Sequence, residues 1–554
     1  MNIKEAKEEI KNAVRAYLEK DEAGQYEIPV ERQRPVLLMG PPGIGKTAIM
    51  EQIAHELGIG LVAYTITHHT RQSAIGLPMI SEKEYGDRKY SVTEYTMSEI
   101  IGAVYDKIEQ TGVHEGILFL DEINCVSETL APTMLQFLQY KTFGSHKVPD
   151  GFIIVTAGNP ARYNRSVREF DIVTLDRVRK ISIEEDYEAW KEYAYKEGVH
   201  GAIMAYLEIK KDNFYSIKSD VDGKSFVTAR GWEDLSRVIK VHEKLGIPVD
   251  NKLTDQYLQN KEIARDFADY YELYHRYNEL YKIPDILEGN FPSDLDAVRN
   301  GAFDEKLSII GLLTDKLMEE FRDYSLRAAV QKHIFGVLKE FIASAGAGGA
   351  TDPTGITAGK AEEGNSAIGA KSDSADVLAK MIEEFEKETD RQSDAVMLDR
   401  DEEKARKLAA SQLGACLKEI AAGSSGAGNP AGNSGAVTPD GDSSASAGGA
   451  GAVDSAKKWF NALEADRQAA SKVTGQHLTN SFDFMEKAFG NPQSLTGSQE
   501  MVIFLTELSS AYHSLKFVRE TGNEAYYKYN KLLLLGDRKQ ELNRQVMEFA
   551  AEWK

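Results

Sequence analysis

Four short runs of almost unbroken apolar residues punctuate the first third of the chain: PVLLM, ending at Met39; LVAYTI, 61–66; GILFLD, 116–121; and FIIVTAG, 152–158. A nearly continuous apolar run of this length is what a strand buried on both faces of a parallel sheet requires. Between the runs the period changes. Ile49, Ile53, Ala54 and Leu57 fall on one side of a helix that begins at Thr47. Strand and helix therefore alternate, and the pattern predicts a doubly wound α/β sheet with its ligand at the strand C-termini. The opening residues, MNIKEAKEEIKNAVRAYLEK, read as a charged amphipathic helix, and FADYYELYHRYNELY, 267–281, as a helix with one wide aromatic stripe. That stripe is expected to pack against a core or a subunit, because a stacking platform for bases comes with a basic groove and the local charge here is near neutral.

Further along, the pattern fails twice. ASAGAGGATDPTGITAG starts at about 343, and a second Gly/Ala/Ser tract fills about 421–452. Such text cannot bury enough apolar area to offset ordering entropy, so both tracts are expected to be flexible linkers. Between them lies a charged helical island, about 374–420, with Val377, Leu378, Met381, Ile382 and Phe385 on one stripe. After about 453 helical text resumes, including MVIFLTELSSAYHSLKFV and YYKYNKLLLLG, which suggest a small bundle docking on an assembly or on a partner.

The chemistry is concentrated where the apolar runs end. GPPGIGKT, 40–47, follows the first run and opens the first helix. Gly40, Gly43 and Gly45 let the backbone curl so that its N–H groups point inward, and these together with the helix N-terminus cradle phosphate oxygens. Pro41, Pro42 and Ile44 complete the loop. Lys46 puts a point charge on the β- and γ-phosphates, and Thr47 offers its hydroxyl to Mg²⁺. In ILFLDEIN, 117–124, Asp121 and Glu122 end a strand. One carboxylate suits a metal and the other a water for in-line attack; Asp121 is assigned to the first and Glu122 to the second. FIIVTAGNP places Asn159 in a small-residue turn where its amide can orient that water or touch the γ-phosphate. In TLDRVRKISI, 174–183, Arg177 or Arg179 can reach a phosphate in a neighbouring subunit. In FVTARGWEDLSRVI, 226–239, Thr228 caps a helix whose first turn carries Arg230.

The order GPPGIGKT, ILFLDEIN, TAGNP, LDRV, TAR resembles an AAA+ ATPase, more narrowly the MoxR-like or dynein-related branch. The resemblance covers about 30–250. It implies that Gly40–Thr47 is the Walker A motif and Asp121 and Glu122 the Walker B pair. It further implies that Asn159 is sensor 1, Arg177 the arginine finger and Arg230 sensor 2, with Arg179 and Arg168 as competing fingers. THHTRQSAIG, 67–76, then falls where the branch carries a substrate- or pore-facing loop, with His68, Arg71 and Gln72 as candidates; adjacent histidines on a strand point to opposite faces and make poor joint metal ligands. The implied fold is a P-loop AAA+ α/β parallel sheet core with a helical lid, followed by flexible linkers and a small all-α C-terminal region. The corresponding divisions are 1–190 for the nucleotide-binding domain with its N-terminal helix, 191–342 for the lid and helical extension, 343–373 and 421–452 for linkers, 374–420 for the charged segment and 453–554 for the C-terminal helices. ATP is favoured over GTP by the likeness alone. Relatives of this kind form rings, commonly hexamers, and act as chaperones for von Willebrand A-domain proteins; the alternatives are a chelatase-like motor subunit for metal insertion and a nucleotide-gated scaffold.

Composition narrows the partners. A formal net charge of -21 and the absence of a Lys/Arg block argue against a nucleic-acid motor and for a protein client. No run of apolar residues is long enough to span a membrane. Two cysteines outside any metal-ligand spacing, and an N-terminus without an apolar signal region, fit a reducing cytoplasm.

Overall fold

A computed structural model describes residues 1–68, 72, 74, 76–163, 167, 170–220, 223–346, 374–425, 444–490 and 498–532. The chain forms two compact units. One holds Met1–Arg322, Asp394–Asp399 and the described residues from Thr474 onward; the other holds the described residues of Asp323–Ser393 and Arg400–Val473.

The first unit is built on the expected sheet. The strands in chain order are β1 (Val36–Met39), β2 (Gly60–Thr65), β3 (Pro78–Tyr85), β4 (Arg88–Tyr95), β5 (Gly116–Asp121), β6 (Thr142–Phe143), β7 (His146–Lys147), β8 (Phe152–Gly158), β9 (Arg179–Ser182), β10 (Ser216–Asp220) and β11 (Gly223–Val227). Five of them form one parallel sheet in the order β2-β5-β8-β1-β9. Alternate residues of each strand face opposite sides. Leu37, Leu118, Leu120 and Ile154 join one core with Ile100, Ile101, Val104 and Phe137. Val36, Leu38, Ile117, Phe119, Ile153 and Val155 join the other with Ile10, Ile49, Met50 and Ile53. This two-sided burial is why the strands read as solid apolar runs. The N-terminal helix Ile3–Leu18 is closed by a capping box between Asn2 and Glu5 and buries Ala6, Ile10, Ala13 and Val14.

Three two-stranded hairpins lie outside the sheet: β3 with β4, β6 with β7 and β10 with β11. The hairpin at 78–95 went unread in the sequence because neither of its faces is buried; Met79, Ile80, Tyr85 and Tyr90 are all exposed. A hairpin without a buried face has no hydrophobic alternation to announce it.

After β9 the unit is helical apart from the β10–β11 hairpin. Phe267, Tyr271, Tyr274 and Tyr281 of the helix Lys261–Tyr281 are buried, and Phe267 meets Tyr206 and Trp232 edge-on at 5.3 Å each. The aromatic stripe is thus core. The C-terminal helices Gln499–Ser510 and Tyr512–Thr521 pack on these helices of the same chain, where the sequence suggested docking on an assembly or a client. Phe321 meets Phe517 with ring centroids 4.9 Å apart, Asn480 donates to the Leu287 carbonyl at 2.7 Å, and Lys191 reaches Glu208 at 2.7 Å and also Glu507. Burial pulls the Lys191 ammonium down, but Glu507 and Glu208 prevail and hold it above the ordinary lysine range.

The second unit is a helical assembly. Val330, Ile334, Leu338 and Phe341 pack with Leu378, Ile382, Leu413, Cys416 and Ile420. The charged island resolves into two helices, Ser374–Asp394 and Arg400–Ser425. Of the tract 421–452, the described residues 421–425 and 444–452 are helical. The helices Phe303–Gly346 and Ser444–Phe489 each contribute residues to both units. Residues 347–373, 426–443 and 533–554 lie outside the described residues, and with them most of both linkers and the end of YYKYNKLLLLG. Among the described residues no helix is long and apolar enough to cross a membrane.

Removing Glu507 takes one of two carboxylates from the buried Lys191, which keeps only Glu208, and a buried charge that loses a partner is costly. The Glu507→Leu variant should therefore loosen the C-terminal helices by about 3 kcal/mol, seen as faster amide exchange across 499–521. Exchange at the wild-type rate would show that Lys191 does not hold them.

Candidate functional site

The strand order brings the site together. β1 lies between β8 and β9, so the strand order reverses beside it, and the loops leaving β1 and β8 sit side by side at the carboxyl edge of the sheet. This is the topological switch point where open parallel sheets bind ligands. Met39 is level with Gly158, and Gly40 donates its N–H to the Gly158 carbonyl at 3.3 Å.

The loop 40–47 then turns on left-handed glycines: Gly43 at φ 73° and Gly45 at φ 91°, the latter capping the helix Lys46–Leu57. A side chain at either position would be strained. Lys46 enters the helix with 8% of its surface exposed. Its Nζ donates to the carbonyls of Gly40 at 3.0 Å and Pro41 at 2.7 Å and to Asn159 Oδ1 at 2.9 Å. All three acceptors are neutral. Burial pushes the ammonium down to about 8; Asp121 and Glu122 oppose this and Arg230 adds to it.

Thr47 Oγ1 donates to Asp121 Oδ2 at 3.2 Å. β2 pairs with β5 with Thr65 level with Asp121, so the aspartate sits at the last rung of the sheet. Glu122 follows at φ 57°, a left-handed conformation uncommon for a residue with a Cβ, and donates its N–H to Asp121 Oδ1 at 2.8 Å. Strain of this kind costs on the order of 1 kcal/mol and collects at functional turns.

The helical part of the unit closes over the loop. Thr228 caps the helix Ala229–Leu245 and packs on Gly43, where an added Cβ would lie 2.9 Å from Thr228 Oγ1. Arg230 donates its backbone N–H to the Gly43 carbonyl at 3.2 Å, and Tyr215 donates its hydroxyl to the Pro42 carbonyl at 3.0 Å. Arg230 thus stands at the loop, and its guanidinium is exposed and close enough for its charge to be felt at Lys46.

Of the arginines read as candidate fingers, Arg179 pairs with Glu9 of the N-terminal helix. Arg168 lies outside the described residues. Arg177 is exposed, behind the short helix Ile172–Leu175, and no described hydrogen bond or ion pair joins its guanidinium to the loop of its own chain. Ile172 and Val173 beside it are 83% and 56% exposed. His68 ends a short turn after β2, Gln72 is exposed and Arg71 is outside the described residues. Tyr215 and Asn124 escaped the sequence reading. Nothing local marks Tyr215, whereas Asn124 stands in the acidic motif itself.

Fold and site are consistent with a P-loop AAA+ core: a five-stranded parallel sheet with a phosphate-type loop at its switch point, under helices. Residues 35–178 match the family model "AAA domain (dynein-related subfamily)". A comparison with curated proteins gives no match. Among solved structures, a "putative ATPase" from Cytophaga hutchinsonii matches 47% of this chain and 79% of its own, at 14% identity and a TM-score of 0.20, too low a score to carry any argument.

The residues present fit a nucleotide and a divalent cation. A buried ammonium ringed by neutral acceptors lacks an anion, and a hydroxyl and a carboxylate oxygen converge as hard donors of the kind Mg²⁺ takes. An anion at Lys46 stabilises its charged form, so binding takes up a proton wherever the free lysine has lost one. Affinity is then fully present below the lowered Lys46 value of about 8 and is lost above it. For a non-hydrolysable ATP analogue, affinity should fall by up to about tenfold per pH unit beyond that point. The Lys46→Arg variant, whose guanidinium stays charged, should lack this fall. A wild-type curve that stays level to about pH 10 would overturn this assignment of the Lys46 charge.

Proposed function

We propose that the chain is an ATP-hydrolysing motor of the MoxR-like kind that assembles into a ring and remodels a protein partner. The observation that carries this reading is the convergence of Lys46, Thr47, Asp121, Glu122 and Asn159 on one loop, with Thr228 and Arg230 closing on it from the helical side. In this reading the N–H groups of Gly40–Thr47 hold the phosphates, and Lys46 exchanges its carbonyl partners for phosphate oxygens. Thr47 and Asp121 would hold Mg²⁺, which neutralises charge developing on the phosphates. Glu122 accepts the proton of the attacking water, and Asn159 orients that water or the γ-phosphate. Arg230 meets the phosphates of its own chain.

Arg177 supports the ring. It is exposed and carries no described bond to its own loop, which suits a charge used by the next subunit. Ile172 and Val173 give the same edge an apolar patch. The acidic balance of the chain favours a protein client, and a von Willebrand A-domain protein is the client class that the sequence resemblance implies.

Phosphate release measured across protein concentration, with native mass recorded with and without ATP, tests the motor. Turnover should rise steeply with concentration as a ring forms, and the Glu122→Gln variant should assemble but not turn over. Nucleotide binding with neither turnover nor assembly would leave a nucleotide-gated scaffold instead. The Arg177→Ala variant should bind ATP like the wild type and lose about 10³-fold or more in turnover; wild-type turnover there would remove Arg177 from the finger role.

A further inference from the structure

Asn124 is the polar side chain at the site that the proposed chemistry leaves unused. It lies in the short turn Ile123–Cys125 directly after the acidic pair and is 2% exposed. Its Nδ2 donates to the backbone carbonyl of Asn159 at 2.8 Å. A carbonyl only accepts, so the NH₂ end must face it and the orientation of the amide is fixed. Oδ1 then points at Gly158, where an added Cβ would lie 2.6 Å away. That oxygen is buried and has no hydrogen-bond partner among the described residues. A buried acceptor left unpaired costs stability, and an apolar residue of similar volume would avoid the cost. Packing alone therefore does not account for an amide here.

What the amide does is bridge. Asn159, whose carbonyl Asn124 holds, accepts from Lys46 Nζ through its own side chain at 2.9 Å. One continuous path thus runs from the acidic turn through Asn124 and Asn159 to Lys46. A second path, Thr47 to Asp121, joins the same two elements at 3.2 Å. Between these two anchors sits Glu122 in its left-handed conformation, which persists only if its surroundings over-determine it.

We propose that Asn124 is a positioning residue that sets the separation of Glu122 from Asn159, acting through the Asn159 carbonyl. The inference rests on the reading of the site as an ATPase centre, and the test separates the two. Steady-state and single-turnover ATP hydrolysis are measured on the full chain for wild type, Asn124→Ala, Asn159→Ala and the double variant, with Glu122→Gln alongside. A misplacement of the reacting groups by about 1 Å costs on the order of 10²-fold, so Asn124→Ala should lower kcat about 10- to 100-fold with KM for ATP little changed. In the Asn159→Ala background, which keeps the carbonyl but removes the side-chain amide, the same substitution should lower kcat by clearly less, because one of the two groups whose separation it sets is gone. The near-isosteric Asn124→Asp, which sets a carboxylate against the carbonyl, should lower kcat at least as far as Asn124→Ala. It carries the cycle if the alanine variant does not fold. Equal falls in both backgrounds, a change confined to KM, or wild-type kcat in Asn124→Asp would overturn the positioning role. Wild-type turnover no greater than that of Glu122→Gln would sink the ATPase reading itself, and the inference with it.

Discussion

The site depends on one costly arrangement: the ammonium of Lys46 buried among oxygens that carry no charge. Taking a lysine out of water is unfavourable unless something replaces the water. Here two loop carbonyls and one side-chain amide do so, and burial still lowers the lysine to about 8. The carboxylates of Asp121 and Glu122 act on it only through space. An anion brought to this loop therefore meets a cation that is buried, fixed in direction and, among the described residues, hydrogen-bonded only to neutral acceptors. Most features nearby can be traced to keeping that cation in place. The loop needs left-handed glycines to aim its carbonyls, Gly158 needs to be small because Asn124 fills the space above it, and Asn159 has to present its oxygen at hydrogen-bond distance.

The sheet supplies the rigidity. β1 is bonded on both sides, to β8 and β9, so the start of the loop is fixed by two neighbours. The acidic pair leaves from β5 and Asn159 from β8, adjacent parallel strands paired up to Leu120 against Thr156. No side chain at the site has to reach across a flexible connection to find its partner. The helical region meets the loop through Thr228 against Gly43, the Arg230 backbone on the Gly43 carbonyl, and the Tyr215 hydroxyl on the Pro42 carbonyl. The helices packed on that region include the C-terminal ones, pinned through Lys191 and Glu507.

What the sequence determined by itself is local in origin. The four apolar runs became strands because a strand buried on both sides needs apolar residues at every position. GPPGIGKT declared its loop because only glycine tolerates the required φ angles, and Asp121, Glu122 and Asn159 were readable because each stands where an apolar run ends. Other matters are contacts between residues far apart in the chain, and only the tertiary structure could decide them. That Arg179 is taken by Glu9 while Arg177 stays exposed depends on where the N-terminal helix lies. The closure of Tyr215 on Pro42 has no local signal, and the hairpin at 78–95 has none because it buries neither face. The tract 444–452 reads as linker by composition yet opens the helix Ser444–Phe489. Asn124 was visible in the sequence from the start. Its bond to the Asn159 carbonyl was not, because backbone acceptors leave no mark in the order of residues and are assigned only when the strands come together.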